Sequence, residues 1–494
     1  MIPYKSVLNI NKSDKQSVYL QIANQIIGLI KSGVLSPDTK LPSSRTMAEL
    51  IGLHRKTIVA SYDELLIQGW LISKPKQGTY VHPELPVLKP RAFDESHQPI
   101  PNQTGFSFYK KDKSNRKLYN QQDDITYVSG GVADTRLVPI KEIAQIYKSN
   151  CNSKLISKHL GYGSIYGNLE LRKVLAKYLN ETRGIKLTID NILITRGSQQ
   201  GIYLATQLLI TPGDRIITGE TNYTSADYTF LNADANISTV PVDDHGINTK
   251  AVEKTCKKHN IKAIYVTSHH HHPTTKTMSA ERRLHLLNLA HEYKFAIIED
   301  DYDYDFHYNQ APILPLISHD IHGQVIYTGS ICKTVAPTFR IGYMIAAKEF
   351  ITEAANLRRY IDRQGDPLLE LTIADFIKSG SLTRHINKTL KIYRKRRDLF
   401  VDYLNQLKEY FEFDIPTGGM AFWLRLKKPY TWREVATTAH HHKLEIGEWQ
   451  RYDINNIGHN AIRLGFAIYN EEETISLFDK LQMTMEDLKR QING

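Results

Sequence analysis

The sequence predicts a chain of two folded units of different class: an N-terminal winged helix-turn-helix over residues 1–82, and an α/β body over residues 123–494 that ends in a smaller α+β lobe. Three observations carry this. Hydrophobic periodicity in the first 82 residues spells helix, helix, turn, helix and hairpin. Residues 83–122 lose that periodicity. Beyond residue 123, short apolar runs alternate with amphipathic stretches, as a layered α/β fold requires. At 494 residues the chain also exceeds what one hydrophobic core usually serves.

In the first unit, Val18, Ile22, Ile26, Leu29 and Ile30 recur at helical spacing up to Gly33. Pro42 and Ser43 open a second, short helix that is expected to bury Met47, Leu50 and Ile51 and to break at Gly52. A third begins near His54, sets Ile58, Tyr62, Leu65 and Leu66 on one face, and stops at Gly69. Residues 70–72 and 79–81 read as strands around a basic turn at 74–78. Prolines 83, 86, 90, 99 and 101 lie among polar residues in a linker that, as a coil, would span on the order of 35 Å.

In the body the expected strands are 192–195, 216–218, 263–267, 295–298 and 325–327, with helical patterns at 201–210 and 280–293. A large lobe is expected over about 160–350. From about Leu382 the pattern returns to helices with a few strands, giving a small lobe over about 380–494.

The net charge of +11 is uneven: residues 1–82 hold ten Lys and Arg against five acids, and residues 83–122 seven against four. A basic leading segment on a nearly neutral body suits a polyanion partner, and equally a solvated basic face. No apolar stretch reaches the roughly 18 residues of a membrane helix, and Met1 to Lys15 shows no apolar signal core, so a cytoplasmic protein without a membrane partner is expected. Cys151, Cys256 and Cys332 are odd in number and lack CxxC spacing, which argues against a disulfide framework and a zinc site.

The motifs are more specific. Leu41-Pro42-Ser43-Ser44-Arg45, Arg55-x-Thr57, Tyr62, Gly69 and Gly78 closely resemble the GntR superfamily of winged-helix regulators over nearly all of residues 14–82. Arg55, Lys56 and Thr57 stand at the start of the recognition helix, where amides and basic side chains meet phosphates and base edges. The resemblance implies DNA contacts from Arg45 as well, and from Lys74, Lys76 and Gly78 of the wing. A winged helix used for protein contacts is the alternative. Where the family has a Pro-Gly-Asp turn, this chain has Pro37-Asp38-Thr39; the turn is still expected, since Pro and Asp are turn residues.

In the body, 327–333 followed by Arg340-Ile341-Gly342 resembles the lysine segment of fold type I aminotransferases, the pyridoxal-phosphate enzymes. The resemblance makes Lys333 the aldimine lysine, with Ser330 and Arg340 on the phosphate. Asp300, in the run Glu299-Asp300-Asp301-Tyr302-Asp303, matches the acid against the pyridine nitrogen, and Tyr302 the tyrosine on the ring hydroxyl. A divalent-metal site is the competing reading of that run. Gly197, Ser198 and Gln199 turn from strand to helix and can offer amides to a phosphate. Tyr223 matches the aromatic stacked on the cofactor, Tyr162 a tyrosine that reaches the neighbouring subunit's phosphate, and Arg463 the arginine that holds a substrate carboxylate.

Head, linker and body together resemble the MocR/GabR-type regulators across essentially the whole chain. That resemblance implies a homodimer, head-to-tail being one arrangement, that binds double-stranded DNA and senses pyridoxal 5′-phosphate, an amino compound, or both. Two departures stand out: in a loop where the family carries one histidine and a glycine this chain has His269 to His272 and Thr275, and Cys332 stands where the family has a serine before the lysine. The quartet reads as neutral loop histidines or as a metal site. The cofactor residues serve a regulator and a working aminotransferase alike.

Overall fold

The computed structural model describes residues 2–14, 16–85, 103–109, 124–154, 156–308, 313–331, 333–447, 449–452 and 457–493. The chain divides into two compact units, Met1–Tyr109 and Lys110–Gly494. Most of the expected linker, residues 86–102 and 110–122, lies outside the described residues, as does Cys332.

In the first unit, α1 (Val18–Lys31) buries Ile22 and Ile26 completely. The Ser43 hydroxyl caps α2 (Ser44–Ile51) by accepting the Thr46 N–H at 3.1 Å, and Gly52 ends it in the left-handed conformation that costs a glycine least. This helix buries Met47 and Ala48, while Leu50, expected inside, is exposed and Ile51 is half-buried. With only eight residues, α2 turns one narrow stripe inward and leaves Leu50 off it. α3 (Arg55–Ile67) is capped by His54, whose Nδ1 accepts the Lys56 N–H. The wing pairs β1 (Leu71–Lys74) with β2 (Gly78–Val81), Leu71 opposite Val81. The turn before it forms with Asp38 at φ +62°, its N–H donated to the Val81 carbonyl at 3.1 Å.

Residues 2–11 have no clear hydrophobic period, yet they are part of this core. Tyr4 and Leu8 are buried beside α1. The Gln21 and Gln25 amides grip the backbones of Asn11 and Asn9 from both sides, at 2.6 to 3.0 Å.

The second unit is built on a seven-stranded sheet of β3 (Ile192–Thr195), β4 (Arg215–Gly219), β5 (Asn236–Val240), β6 (Ala263–Val266), β7 (Ala296–Asp301), β8 (Val325–Ser330) and β9 (Gly342–Ile345). Its order is β3-β9-β8-β7-β6-β4-β5. β9 runs antiparallel to both its neighbours and the other pairs are parallel. Apolar clusters cover both faces, with α4 (Leu169–Arg183), α5 (Ser198–Leu209) and α6 (Ala280–Tyr293) among the covering helices. A smaller antiparallel sheet follows, β10 (Phe411–Phe413), β11 (Ala421–Leu426) and β12 (Ala461–Gly465), packed with α7 (Ser381–Gln406) and α8 (Glu471–Asn493) around Phe400, Phe422 and Phe478. No helix among the described residues is long and apolar enough to cross a membrane.

The layered architecture places chemistry at the carboxyl ends of the parallel strands, where backbone polar groups run out of ladder partners. The turn after β3 carries Gly197, β7 ends in Asp300 and Asp301, and β8 ends in Ser330.

Candidate functional site

A cavity, partly open to solvent, is lined by Gly130, Gly131, Ser198, Tyr223, Tyr265, Thr267, His272, Asp300, Tyr302, Lys333 and Arg463. Six of these were singled out in the sequence: Ser198, Tyr223, Asp300, Tyr302, Lys333 and Arg463. Residues more than 300 positions apart thus meet in one space.

Asp300 is the buried carboxylate of this cavity. The Tyr265 hydroxyl donates to its Oδ2 at 2.8 Å, the Thr328 hydroxyl approaches Oδ1 at 3.3 Å, and the Ser198 hydroxyl adds a third bond. Burial pushes its pKa up to about 6, against the lowering effect of those donors. Lys333 Nζ donates to the Gly131 carbonyl at 3.3 Å. Arg463, 2% exposed, donates to the carbonyls of Gly130 at 2.8 Å and Pro273 at 3.2 Å, and its guanidinium lies 5.7 Å from the Tyr302 ring. The Tyr302 hydroxyl donates to the His270 carbonyl, and burial raises its pKa. The Tyr223 ring meets His272 edge-on at 5.3 Å.

At the margin, Gly197 has φ +82° and caps α5; a Cβ there would stand 3.0 Å from the Arg340 guanidinium. The positive φ favours glycine in that turn, and a side chain there would press on the arginine. Ser330 ends β8 opposite Gly342. The Gln199 side chain turns to Thr229 at 2.8 Å, which leaves only its backbone for the turn. Tyr162 is outside the cavity, 83% exposed, with the Arg363 guanidinium 4.2 Å from its ring.

The acids flanking Asp300 have separate partners. Glu299 accepts from Ser268, Leu316 and Ile317; Asp301 accepts from the Tyr327 hydroxyl; Asp303 bonds His270 at 2.8 Å. The histidine quartet is spread in the same way. His271 bonds Thr274, His272 faces the cavity, and His269 packs 4.3 Å from Tyr304 with neither ring nitrogen hydrogen-bonded. Burial lowers the pKa of His269, His271 and His272, His271 to about 3, which favours neutral rings. Among the described residues no three His, Cys or acidic side chains are arranged to hold a metal. Thr275 adopts the left-handed φ of +63° that glycine would take, its N–H bonded to the His271 carbonyl, so the loop closes despite the substitution.

Sequence reasoning missed Tyr265, His272 as a cavity wall, and the Gly130-Gly131 pair. Tyr265 is hidden in an apolar strand. Only the register, which sets it opposite Ile298 and so beside Asp300 two residues on, shows its use. The glycine pair carries a signal: Gly131 has φ +93° and a Cβ there would lie 3.0 Å from that of Ala421.

In the first unit, Arg55 and Lys56 are exposed and Thr57 half-buried on the first turn of α3. Arg45 on α2 is exposed and 3.6 Å from Glu49. In the wing, Lys76 is exposed at φ +61° and Gly78 has φ +116°. Lys74 is engaged within the unit, bonded to Asp38 at 2.6 Å and 4.5 Å from the Tyr80 ring.

Residues 133–481 match the family model described as aminotransferase class I and II. The chain belongs to that family. Residues 18–81 match the bacterial regulatory proteins of the gntR family, so a GntR-type head is fused to an aminotransferase body, the organisation of the MocR/GabR-type regulators. The chain is 27% identical to the uncharacterized HTH-type transcriptional regulator YdeL of Bacillus subtilis, over 96% of this chain and 98% of that one. It is 26% identical to the probable rhizopine catabolism regulatory protein MocR of Rhizobium meliloti, over 82% of this chain and 80% of that one. Among solved structures it is similar to the multiple substrate aminotransferase of Thermococcus profundus, with 27% identity, a TM-score of 0.71, and 78% and 98% of the two chains covered.

Pyridoxal 5′-phosphate is the cofactor of this fold, and the residues present fit it. A buried acid with a pKa near 6 is mostly ionised at neutral pH and suits a protonated ring nitrogen. The glycine turn at the start of a twelve-residue helix, with Arg340 against it, suits a phosphate.

Proposed function

We propose that this chain is a DNA-binding transcription regulator of the cytoplasm whose aminotransferase-type body takes pyridoxal phosphate, an amino compound, or both, as its signal. One observation carries the reading: an amine, a buried carboxylate and a buried guanidinium, Lys333, Asp300 and Arg463, share one cavity in a chain whose other unit bares a basic helix start. When bound, the cofactor supplies an aldehyde that amines join covalently and a ring that withdraws electrons.

The chain's own residues divide the work. Lys333 supplies the amine that holds the aldehyde. Asp300 keeps the ring nitrogen protonated, while Tyr265, Thr328 and Ser198 favour its ionised form against burial. Tyr223 covers the ring and Tyr302 faces its hydroxyl. The amides of 197–199, with Ser330 and Arg340, receive the phosphate. Arg463 takes the carboxylate of an amino-acid effector, exchanging its Gly130 and Pro273 acceptors for it. The exposed Tyr162 serves a second copy's site in a homodimer. On the head, Arg55, Lys56 and Thr57 enter the groove, and Arg45, Lys76 and the Gly78 backbone meet phosphates. Lys74 contributes less, being tied to Asp38.

A working aminotransferase is the second reading, favoured by the likeness to aminotransferase structures. The deciding experiment mixes the purified, cofactor-loaded chain with amino donors and 2-oxo acids, and in parallel measures duplex-DNA binding with and without those amines. Affinity that changes with an amine, without repeated turnover, supports the regulator. Sustained turnover at about 1 to 1,000 per second with DNA binding indifferent to amines overturns it.

A further inference from the structure

A second cavity of the body shares no lining residue with the first. Its wall carries both signs of charge: Arg215 at the start of β4, Glu220 just past its end, Asp227 on the helix Thr224–Asn232, and Arg451. Asp227 is 9% exposed and makes no ion pair among the described residues; its Oδ1 accepts from the Asn222 amide at 2.6 Å. A buried carboxyl without a cation is costly, and this one borders an open space. Arg215, half-buried, donates to the Ser238 hydroxyl at 2.7 Å and likewise makes no ion pair among the described residues. Leu231 and Ile237 add apolar wall. The same helix touches both cavities. Tyr223, its N-cap, lines the first; Asp227, four residues on, lines the second; and Phe230 packs 5.9 Å from the ring of Tyr265, whose hydroxyl bonds Asp300. Burial raises the Tyr265 pKa most, and the charges of Asp300 and Asp227 add to that rise.

We infer that this cavity is a second ligand site, for a small zwitterionic amine whose ammonium group bonds the Asp227 carboxylate and whose acid group meets Arg215, and that its occupancy is felt at the cofactor through the helix Thr224–Asn232. The inference goes beyond the proposed regulation and needs no DNA binding. A bare amine would be repelled by Arg215 and Arg451, and a bare anion by Glu220 and Asp227. A short carbon chain with both charges satisfies each and lies on the apolar wall. The guanidinium fork suits a carboxylate, and a carboxylate suits an ammonium N–H. Burial pushes the Asp227 pKa up to about 7, so an arriving ammonium must find or create the ionised form. The other titratable groups about it are Glu220, Arg215, Arg451 and Tyr452 on the wall, and Tyr265.

The test compound is 5-(dimethylamino)pentanoate, a tertiary amine that cannot condense with the cofactor's aldehyde, titrated by calorimetry into the cofactor-loaded full chain. The parent's affinity is expected to rise about tenfold from pH 6 to pH 8, because only ionised Asp227 takes the cation. Asp227→Asn should weaken binding by about tenfold or more at pH 8 and abolish the pH dependence. Arg215→Gln should weaken it comparably and erase the preference over N,N-dimethylpentylamine, which lacks the acid group. Uptake of pyridoxal phosphate, seen by absorbance, reports that each variant remains folded. Saturation should also change the visible circular dichroism of the bound cofactor. No binding by the parent up to about 10 mM, or parental affinity in Asp227→Asn, overturns the site. Binding that Arg463→Ala loses and Asp227→Asn keeps assigns the compound to the first cavity and overturns it too. Binding that leaves the cofactor signal unchanged overturns the coupling.

Discussion

The two units place their functional side chains in opposite environments. On the head, Arg45, Arg55, Lys56 and Lys76 are exposed on a small core and mostly lack partners within the unit. In the body, Asp300, Lys333 and Arg463 line one cavity and each is hydrogen-bonded within the fold, to the Tyr265 hydroxyl and the Gly131 and Gly130 carbonyls. Exposed groups act almost independently, whereas buried polar groups depend on one another's hydrogen bonds. Changes in the head should therefore subtract contacts one at a time, and changes in the body should also remove hydrogen bonds that hold the fold around the cavity.

The largest effect tests whether the units are separable. Lys333→Ala should abolish the visible absorbance of the cofactor-loaded chain and the borohydride-fixed adduct, while duplex-DNA affinity without effector stays within about twofold. A reduced adduct on another lysine would sink the assignment.

Arg55→Ala should do the converse. DNA affinity should fall about 5- to 150-fold if the side chain reads a base, which corresponds to roughly 1 to 3 kcal/mol, and cofactor absorbance should not move. An intact, folded variant with parental affinity would remove Arg55 from the interface.

Arg463→Ala should weaken the response to amino-acid effectors by about 1.5 to 3 kcal/mol, the worth of a charge-assisted bond, and leave cofactor uptake close to parental. If the cofactor is lost as readily as in an Arg340 variant, the division between the two arginines is wrong. Because Arg463 also bonds Gly130 and Pro273, the comparison further predicts some loss of body stability, which no head variant should show.

pH sharpens the contrast. Burial pushes the Asp227 carboxyl up to about 7, with Asn222 donating to it at 2.6 Å. The fold thus favours its neutral form: the contribution is full below about pH 4 and is lost as pH rises through about 7. Asp227→Asn should gain on the parent chain from pH 5 to pH 8 by on the order of 2 kcal/mol, read as a melting shift of a few degrees for the body transition. A pH-independent difference would place the carboxyl in water.

The smallest effect concerns the backbone alone. A β-branched residue at φ +63° is strained, so Thr275→Gly should raise body stability by about 1 kcal/mol in denaturant titrations. A loss would mean that the Thr275 side chain makes up for its backbone.

The same contrast explains what the sequence disclosed. The head was legible nearly element by element, because caps, glycine stops and helical period are local signals; α1 begins and ends where the periodicity does. Leu50 escaped because a two-turn helix has too few positions to define its buried stripe. Five of the seven sheet strands stood out as apolar runs. β5 did not, being a half-exposed edge with polar Asn236, Ser238 and Thr239, and β9 did not, being four residues that begin with glycine. In the cavity, Lys333, Asp300 and Arg463 were found through motifs, but Tyr265 became visible only through cross-strand register, which no single segment contains.

Two consecutive carbonyls, Gly130 and Gly131, are held by Arg463 and Lys333. They belong to the first described stretch of the body, a few residues after the segment that leads from the winged helix. The start of the body is held first by the pairing of Thr126 and Tyr127 with Leu444 and Glu445, and then by the two side chains assigned to the amino compound and the aldehyde. A ligand that takes up either side chain competes with a backbone carbonyl for it. Chemical occupancy and mechanical anchorage draw on the same donors, and each such bond to a charged group is worth about 1.5 to 3 kcal/mol, the size of a typical coupling between two sites.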